Sequence, residues 1–159
     1  MTFTGTYRTA SEQETRSVAA ACASHLRRGG VLALFGDLGT GKTQFVKGLC
    51  EGFGVAENVA SPTFVLLHRY RGRDQHGKEL LLYHLDLYRV ESGDEILDLG
   101  YEEIFFGDGI TMVEWADRLG SLLPSRRIDV HLAHGSQENE REIRIDRVVP
   151  EVIRETGKP

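Results

Sequence analysis

Apolar residues along the chain recur with two periods, one typical of helices and one typical of strands. Residues 11–28 carry apolar side chains at helical spacing, and Ser11 with Glu14 stands where a capping box would begin that helix. Residues 31–35 are an uninterrupted apolar run, the pattern of a strand buried on both faces of a parallel sheet. Residues 42–53 again show a helical stripe. The order helix, strand, glycine-rich turn and helix predicts an α/β fold.

Three further apolar segments predict strands, at residues 63–70, 80–86 and 110–115. Each segment is flanked by glycine, proline or a cluster of charged residues. The polar segment 71–78 lies between the first two, so we expect those two strands to form a hairpin. Residues 93–106 predict two short helical pieces around a glycine.

Near the end of the chain, apolar and polar residues alternate at 128–132 and again at 143–145, with the polar segment 134–140 between them. This pattern predicts two half-exposed antiparallel strands. The last ten residues are polar, and we expect them to fray.

Composition narrows the class of protein. With 159 residues, the chain predicts one domain over residues 1–159 with a core of about 5–150. Its 19 Lys and Arg against 24 Asp and Glu give a net charge of −5, which argues against DNA binding and makes any RNA role depend on a partner or a local basic patch. The two cysteines, Cys22 and Cys50, lack zinc-site spacing and predict buried core residues. No apolar run reaches the length of a membrane span, so we expect a cytoplasmic protein without membrane contact.

Residues 36–43 read G-D-L-G-T-G-K-T, which matches the Walker A pattern G-x-x-x-x-G-K-T between a buried strand and a helix. Such a loop turns its backbone N–H groups toward phosphate oxygens, while Lys42 neutralises the β and γ phosphates and the Thr43 hydroxyl binds Mg²⁺. The alternative is a glycine-rich loop that only turns a strand into a helix. ATP or ADP with Mg²⁺ is the expected ligand, and the residues expected to contact the nucleotide here are Asp37, Leu38, Gly39, Thr40, Gly41, Lys42, Thr43 and Gln44.

Two acidic residues, Asp86 and Glu114, end apolar strands at the sheet edge where α/β proteins place ligands. One could hold the metal across from Thr43 while the other orients or deprotonates an attacking water. Either could instead cap a helix or lie in a solvated turn.

Three neighbours of these acids have two readings each. His84 is either a site residue or a packed strand residue, and Arg89 either touches a phosphate or partner or forms a surface ion pair. Trp115 lies either against the site or in the core. The chain also lacks the Asn-Lys-x-Asp motif of signalling GTPases and the lid insertions of a small-molecule kinase.

Six blocks in order resemble one family, the bacterial ATPases of tRNA threonylcarbamoyladenosine biosynthesis, known as TsaE. They are S-E-Q-E-T at 11–15, the phosphate loop at 36–43, S-P-T-F at 61–64, H-L-D-L-Y-R at 84–89, E-W at 114–115 and L-P at 123–124, with an acidic helix ending in Leu99-Gly100 before E-W. The likeness covers nearly the whole chain and implies a single-domain P-loop NTPase fold, with a mixed, mostly parallel sheet flanked by helices and antiparallel strands toward the C-terminus.

The resemblance implies an ATPase that hydrolyses slowly alone and acts with the TsaD/TsaB-like threonylcarbamoyltransferase subunits. These subunits modify adenosine 37 of tRNAs that read codons beginning with A, and this chain would meet the tRNA indirectly, through that complex. Carried over by position, Lys42 binds phosphate, Thr43 and Glu114 bind Mg²⁺, and Asp86 is the catalytic carboxylate.

The resemblance also assigns a switch-like loop near the γ-phosphate to residues 61–64. It implies nucleotide contacts for Ser11 at the start of the first helix and for Arg141 on a late strand. Gln44 departs from the family, in which threonine is usual, and this departure affects expected partner contacts rather than the chemistry.

Two other functions stay open at this point. A nucleotide-gated protein-binding module would need bound ATP without productive hydrolysis. A small-molecule kinase would transfer the γ-phosphate to a metabolite, although the chain has little room for one.

Overall fold

The computed structural model describes residues 3–150, which form one seven-stranded sheet with helices packed on both faces. The strands are β1 (Gly5–Thr9), β2 (Val31–Phe35), β3 (Leu67–Arg73), β4 (Glu79–Asp86), β5 (Ile110–Glu114), β6 (Arg127–His134) and β7 (Arg141–Val148). The helices are α1 (Glu12–Ala23), α2 (Lys42–Gly52), α3 (Gly93–Leu97) and α4 (Tyr101–Phe106), followed by a 3₁₀ helix at Ala116–Leu122. None of the helices in this part of the chain is long and apolar enough to cross a membrane.

The strand order is β1-β7-β6-β2-β5-β4-β3. The four central strands β6, β2, β5 and β4 run parallel to one another, whereas β1, β7 and β3 pair antiparallel at the two edges. The predicted α/β fold with a mixed sheet and a parallel core is therefore confirmed. The resemblance implies antiparallel strands toward the C-terminus, and β6 with β7 and β1 form that edge. The other edge is antiparallel too, because the predicted β3–β4 hairpin forms it.

Strand β2 is buried on both faces, as its apolar run predicts. Leu32 and Leu34 pack on the side of α1 and α2, while Val31 and Ala33 pack on the side of α3 and α4. Two hydrophobic layers thus lie on either side of the sheet and hold its central strands in place.

Both cysteines lie in the first of these layers, as predicted. Burial raises the pKa of Cys22 to about 11 and the pKa of Cys50 to about 12, so both thiols stay protonated at neutral pH.

Several predicted boundaries are wrong. Helix α1 ends at Ala23 rather than near residue 28, because the chain leaves the helix through a tight turn in which His25 N–H donates to the Cys22 carbonyl. Strand β3 begins at Leu67 rather than at residue 63. Residues 63–66 instead form a turn closed by a bond from Leu66 N–H to the Pro62 carbonyl, and β3 extends to Arg73.

Two elements have no counterpart in the sequence prediction, the short strand β1 and the 3₁₀ helix at Ala116–Leu122. The predicted antiparallel strands near the end of the chain are confirmed as β6 and β7. The last ten residues are predicted to fray. Of these, only Pro150 lies within the described residues, so the prediction concerns a segment outside them.

Helices α1 and α2 pack closely because α2 presents glycine to α1. A Cβ atom on Gly48 would lie 2.2 Å from the Arg16 carbonyl oxygen and 2.7 Å from Ala19 Cβ, and Gly52 is similarly crowded by Ala23 and Ala20. Since α2 begins at the end of the phosphate loop, this close packing helps to fix the position of the loop.

Gly48→Ala should lower the free energy of unfolding by about 1–3 kcal/mol, because the added methyl group must push the two helices apart. Urea denaturation followed by circular dichroism measures the change. The matched control is Glu51→Ala on the exposed face of α2, which should change stability by less than about 0.5 kcal/mol. A Gly48→Ala variant as stable as the control would show that the helix contact is not tight.

Candidate functional site

The phosphate-loop sequence connects β2 directly to α2, as predicted. Gly36 has φ of +150°, and a Cβ there would lie 2.5 Å from the Leu132 carbonyl oxygen of the neighbouring strand. Gly41 has φ of +102° at the residue that precedes α2. Both positions require glycine, the first for a close approach of two backbones and the second for a left-handed conformation.

The Lys42 side chain folds back into the loop. Its Nζ donates to the carbonyl oxygens of Gly36 at 2.5 Å and Asp37 at 2.9 Å, and lies 4.0 Å from the centroid of the Trp115 ring. Burial lowers the pKa of Lys42 below its ordinary value, and the carboxylates of Glu114 and Asp86 oppose this effect. The loop therefore holds a buried ammonium group whose present acceptors are neutral carbonyls.

Glu114 meets the first turn of α2. Because side chains alternate along a strand, Glu114 shares with Ile110 and Met112 the face of β5 that packs toward α2. The Thr43 hydroxyl donates to Glu114 Oε1 at 2.8 Å. This hydrogen bond joins the end of the phosphate loop to the end of β5.

His84 holds the other oxygen of the same carboxylate. It is fully buried on β4, and its Nε2 lies 2.6 Å from Glu114 Oε2. Its Nδ1 is buried and has no hydrogen-bond partner within residues 3–150. His84 is thus a packed strand residue that also contacts the site, which unites the two readings of the sequence. It restricts the orientation of the Glu114 carboxylate.

Asp86 lies beside Glu114 because the two residues are paired in the register of the parallel strands β4 and β5. Its Oδ2 accepts hydrogen bonds from the hydroxyls of Ser61 at 2.5 Å and Thr63 at 3.2 Å, and its Oδ1 accepts from Tyr88 N–H at 3.1 Å. Asp86 therefore anchors the turn at residues 61–66, which we call the Ser61 loop, next to the phosphate loop.

Backbone strain occurs on both sides of this acidic pair. Within residues 3–150, only Leu66, at the end of the Ser61 loop, and Trp115, directly after Glu114, are non-glycine residues with positive φ, at 67° and 58°. Each such residue costs about 1–3 kcal/mol, and strain of this kind concentrates at functional sites.

Aromatic side chains cover the same edge of the sheet. Trp115 packs against Tyr88 with ring centroids 5.0 Å apart and also contacts the hydrophobic layer on the side of α3 and α4. With Lys42 Nζ 4.0 Å from its ring, it lies between the site and the core. Arg89 lies 4.7 Å from the centroid of the Phe64 ring and forms no ion pair with any residue between 3 and 150, so the predicted surface ion pair is absent there. A contact of Arg89 with a phosphate or a partner stays a prediction. Phe64 is 83% exposed. The Ser61 loop consequently presents an apolar surface beside the acidic pair.

The outer positions of the predicted nucleotide site have different surroundings. The Arg141 guanidinium donates to the Gly39 carbonyl at 3.1 Å, which places it against the phosphate loop. Gln44 accepts a hydrogen bond from Arg16 at 2.7 Å and so contacts α1. The Ser11 hydroxyl accepts from Glu14 N–H at 3.1 Å, which makes it the cap of α1.

The capping prediction is close to the observed structure. Glu14 accepts from the N–H of Ala10 rather than from that of Ser11, so the reciprocal bond of a capping box is shifted by one residue. A role of Ser11 in nucleotide contact stays a prediction.

The remaining loop residues predicted to contact a nucleotide lie together at the C-terminal edge of β2. Asp37, Leu38 and Gly39 are exposed, whereas the Thr40 hydroxyl donates to the Asp37 carbonyl at 2.8 Å within the loop. The tip of the loop is therefore accessible, while its base is held by internal hydrogen bonds.

The donor set fits Mg²⁺. Thr43 and Glu114 supply a hydroxyl and a carboxylate oxygen side by side, and Mg²⁺ prefers oxygen ligands, commonly one or two from the protein together with phosphates and waters. Across residues 3–150 no group of three or more His, Cys, Asp or Glu is arranged to hold a metal ion.

The contacts around the predicted site residues were not predicted from the sequence. The hydrogen bond between His84 and Glu114 is one of them, although the two-residue spacing of His84 and Asp86 on one strand places both on the same face. The Arg16–Gln44 hydrogen bond joins residues 28 positions apart and leaves no pattern in the sequence.

The chain is similar to known proteins of one family. The sequence profile of the family described as "Threonylcarbamoyl adenosine biosynthesis protein TsaE" matches residues 9–143. A tRNA threonylcarbamoyladenosine biosynthesis protein TsaE from Bacillus subtilis is 42% identical over 86% of this chain and 82% of its own length. The Treponema pallidum protein of the same name is 40% identical over 80% of this chain and 93% of its own. The crystal structure of Bacillus subtilis YdiB superposes with a TM-score of 0.73 and 35% identity, covering 92% of this chain and 86% of that one.

Proposed function

This chain belongs to the TsaE family, and from that membership and the geometry of the site we propose that it is a Mg²⁺-dependent ATPase of tRNA threonylcarbamoyladenosine biosynthesis. One observation carries the proposal. The hydrogen bond between Thr43 and Glu114 brings the phosphate loop against the end of β5, where Asp86 lies beside Glu114. The Walker A loop, the side-chain oxygens of Thr43 and Glu114 and the carboxylate of Asp86 therefore share one edge of the sheet.

Phosphate binding belongs to the loop and to Lys42. The loop N–H groups and the N-terminus of α2 favour negative charge, and the tip at residues 37–39 is accessible. Charged phosphate oxygens are stronger acceptors for the Lys42 ammonium than the carbonyls of Gly36 and Asp37. ATP and ADP are the ligands that we assign to this loop, with Arg141 at its outer side.

The metal would be held by Thr43 and Glu114. When bound, Mg²⁺ supplies positive charge that neutralises the phosphates. His84 keeps the Glu114 carboxylate in place by occupying its Oε2, so that Oε1 faces Thr43. His84 is accordingly a positioning residue, because it acts through Glu114.

Asp86 is the carboxylate that we assign to the attacking water. It lies next to the metal donors, and its Oδ2 now accepts hydrogen bonds from the Ser61 loop. For Asp86 to accept a proton or a hydrogen bond from water, at least one of these hydroxyls must give up its place. The Ser61 loop therefore controls access to Asp86.

Activation by a partner is consistent with the surface around the site. Phe64 and Val65 of the Ser61 loop are 83% and 59% exposed, and Tyr88 beside Asp86 is 42% exposed. Apolar groups at this position suit a protein contact that moves the Ser61 loop. We propose that TsaD/TsaB-like transferase subunits make this contact in the cytoplasm, and that hydrolysis by the chain alone is slow.

Lys42→Ala should weaken the affinity for Mg·ATP at least about tenfold, because it removes a charged donor whose hydrogen bonds to phosphate contribute about 1.5–3 kcal/mol. Isothermal titration calorimetry measures the affinity, and phosphate release should fall with it. Lys47→Ala, which removes a charge from the same helix, is the matched control and should bind as the wild type does. Equal affinities for the two variants would remove the phosphate-binding role from Lys42.

Glu114→Gln should raise the Mg²⁺ concentration that gives half-maximal phosphate release by about 10–100-fold, since the neutral amide is a poor metal ligand. Nucleotide affinity measured in EDTA should change far less. The exposed Glu102→Gln variant controls for the change in charge. An unchanged Mg²⁺ titration for Glu114→Gln would exclude Glu114 from the metal site.

A further inference from the structure

A second concave surface lies at the end of the sheet opposite the phosphate loop. It is a groove of about 1040 Å³ that begins beside Gly29–Val31, where β2 starts, whereas the phosphate loop follows the end of β2. Five residues of β2 separate the two ends by roughly 16 Å. We call this surface the arginine groove. Its charged residues are Arg27, Arg28, Asp74, Arg126, Arg127 and Arg147.

The arginine groove is basic in a chain that is acidic. Five of its lining residues are arginines and one, Asp74, is acidic, which gives the lining a formal charge of +4, whereas the whole chain carries −5. Two further carboxylates, Asp108 and Asp129, lie outside the lining but pair with its arginines, and with them the charge is +2. The groove is thus the local basic patch that the composition of the chain does not reveal.

Two of the five arginines are already paired. Arg28 donates to Asp74 at 2.9 Å and to Asp108 at 3.1 Å, which ties the β3–β4 turn to the loop before β5. Arg127 donates to Asp129 at 2.7 Å. These two residues stabilise the walls of the groove.

The other three arginines, Arg27, Arg126 and Arg147, are exposed and form no salt bridge with any residue between 3 and 150. They come from three segments, which are the turn after α1, the turn before β6 and the end of β7. The floor between them includes Leu26, Ile128 and other buried apolar side chains. A cleft of one charge sign with apolar walls concentrates its electric field and attracts counter-ions.

We propose that the arginine groove binds the phosphodiester backbone of RNA, an inference that rests on the proposed function in tRNA modification. Guanidinium groups bind phosphate through paired hydrogen bonds, and three unpaired ones along an open groove match the repeated phosphates of a nucleic acid backbone. Because the groove lies at the opposite end of the sheet, RNA there would leave the phosphate loop accessible. The chain would then contact tRNA directly, in addition to any contact made through its partners.

Fluorescence anisotropy with an unmodified, end-labelled tRNA transcript tests this proposal on the full chain. Three phosphate contacts predict that log K falls with log[salt] with a slope of about −2, which is about a 20-fold loss of affinity between 50 and 200 mM NaCl. The triple variant Arg27→Gln/Arg126→Gln/Arg147→Gln should bind at least tenfold more weakly at 50 mM and lose most of the salt dependence.

The matched control removes three exposed arginines elsewhere, Arg8→Gln/Arg71→Gln/Arg144→Gln, and changes the net charge equally. It should bind the transcript nearly as the wild type does. An equal loss in both triple variants would show charge attraction without a site and would overturn the proposal. Tighter binding of a polyglutamate peptide than of the transcript would also overturn it, since the groove would then fit an acidic protein segment.

Measuring Mg·ATP affinity on the same preparations separates this proposal from the proposed function. The groove variant should bind Mg·ATP as the wild type does, which also shows that it is folded. A wild-type chain that binds Mg·ATP but no RNA would contradict the arginine groove alone. A wild-type chain whose affinity for Mg·ATP is no higher than that of Lys42→Ala would contradict the proposed function instead.

Discussion

The candidate site depends on the buried carboxylate of Glu114 on β5, which contacts side chains from two other elements. Glu114 accepts from the Thr43 hydroxyl through Oε1 and contacts His84 through Oε2, so β5, β4 and the start of α2 are held together at one point. A buried carboxylate is costly unless its oxygens are hydrogen-bonded, and here both are. The pairing register of β4 and β5 is then enough to place Asp86 beside Glu114.

Around this point, the groups that we assign to catalysis are bound to the protein itself. The Lys42 ammonium donates to two carbonyls of its own loop, and Asp86 accepts hydrogen bonds from Ser61 and Thr63. Both sets of bonds must be exchanged before phosphate and water can take their places. An ATPase built in this way would turn over slowly until something moves the Ser61 loop, which carries the exposed Phe64.

The sequence was sufficient to predict the parts of the fold and site that follow a local pattern. An uninterrupted apolar run predicts the buried strand β2, and the Walker A pattern predicts the loop after it. An acid directly after an apolar run predicts each of the two acids at strand ends. Residues 63–66 were predicted as strand from their apolar composition. They form a turn instead, because Leu66 N–H donates to the Pro62 carbonyl and Leu66 adopts a positive φ. The His84–Glu114 contact and the arginine groove depend on which strands are neighbours, which no local pattern records.

The candidate nucleotide site lies at the C-terminal edge of the parallel strands, and the arginine groove lies at the opposite end of the sheet. We propose that the first of these sites hydrolyses ATP and that partners accelerate this reaction. The most direct test is Mg²⁺-dependent phosphate release by the chain alone and with purified transferase subunits and tRNA, with Lys42→Ala as the blank. We predict a slow basal rate and a large partner-dependent increase. No increase, with tight nucleotide binding retained, would contradict the claim and indicate a nucleotide-gated binding module instead.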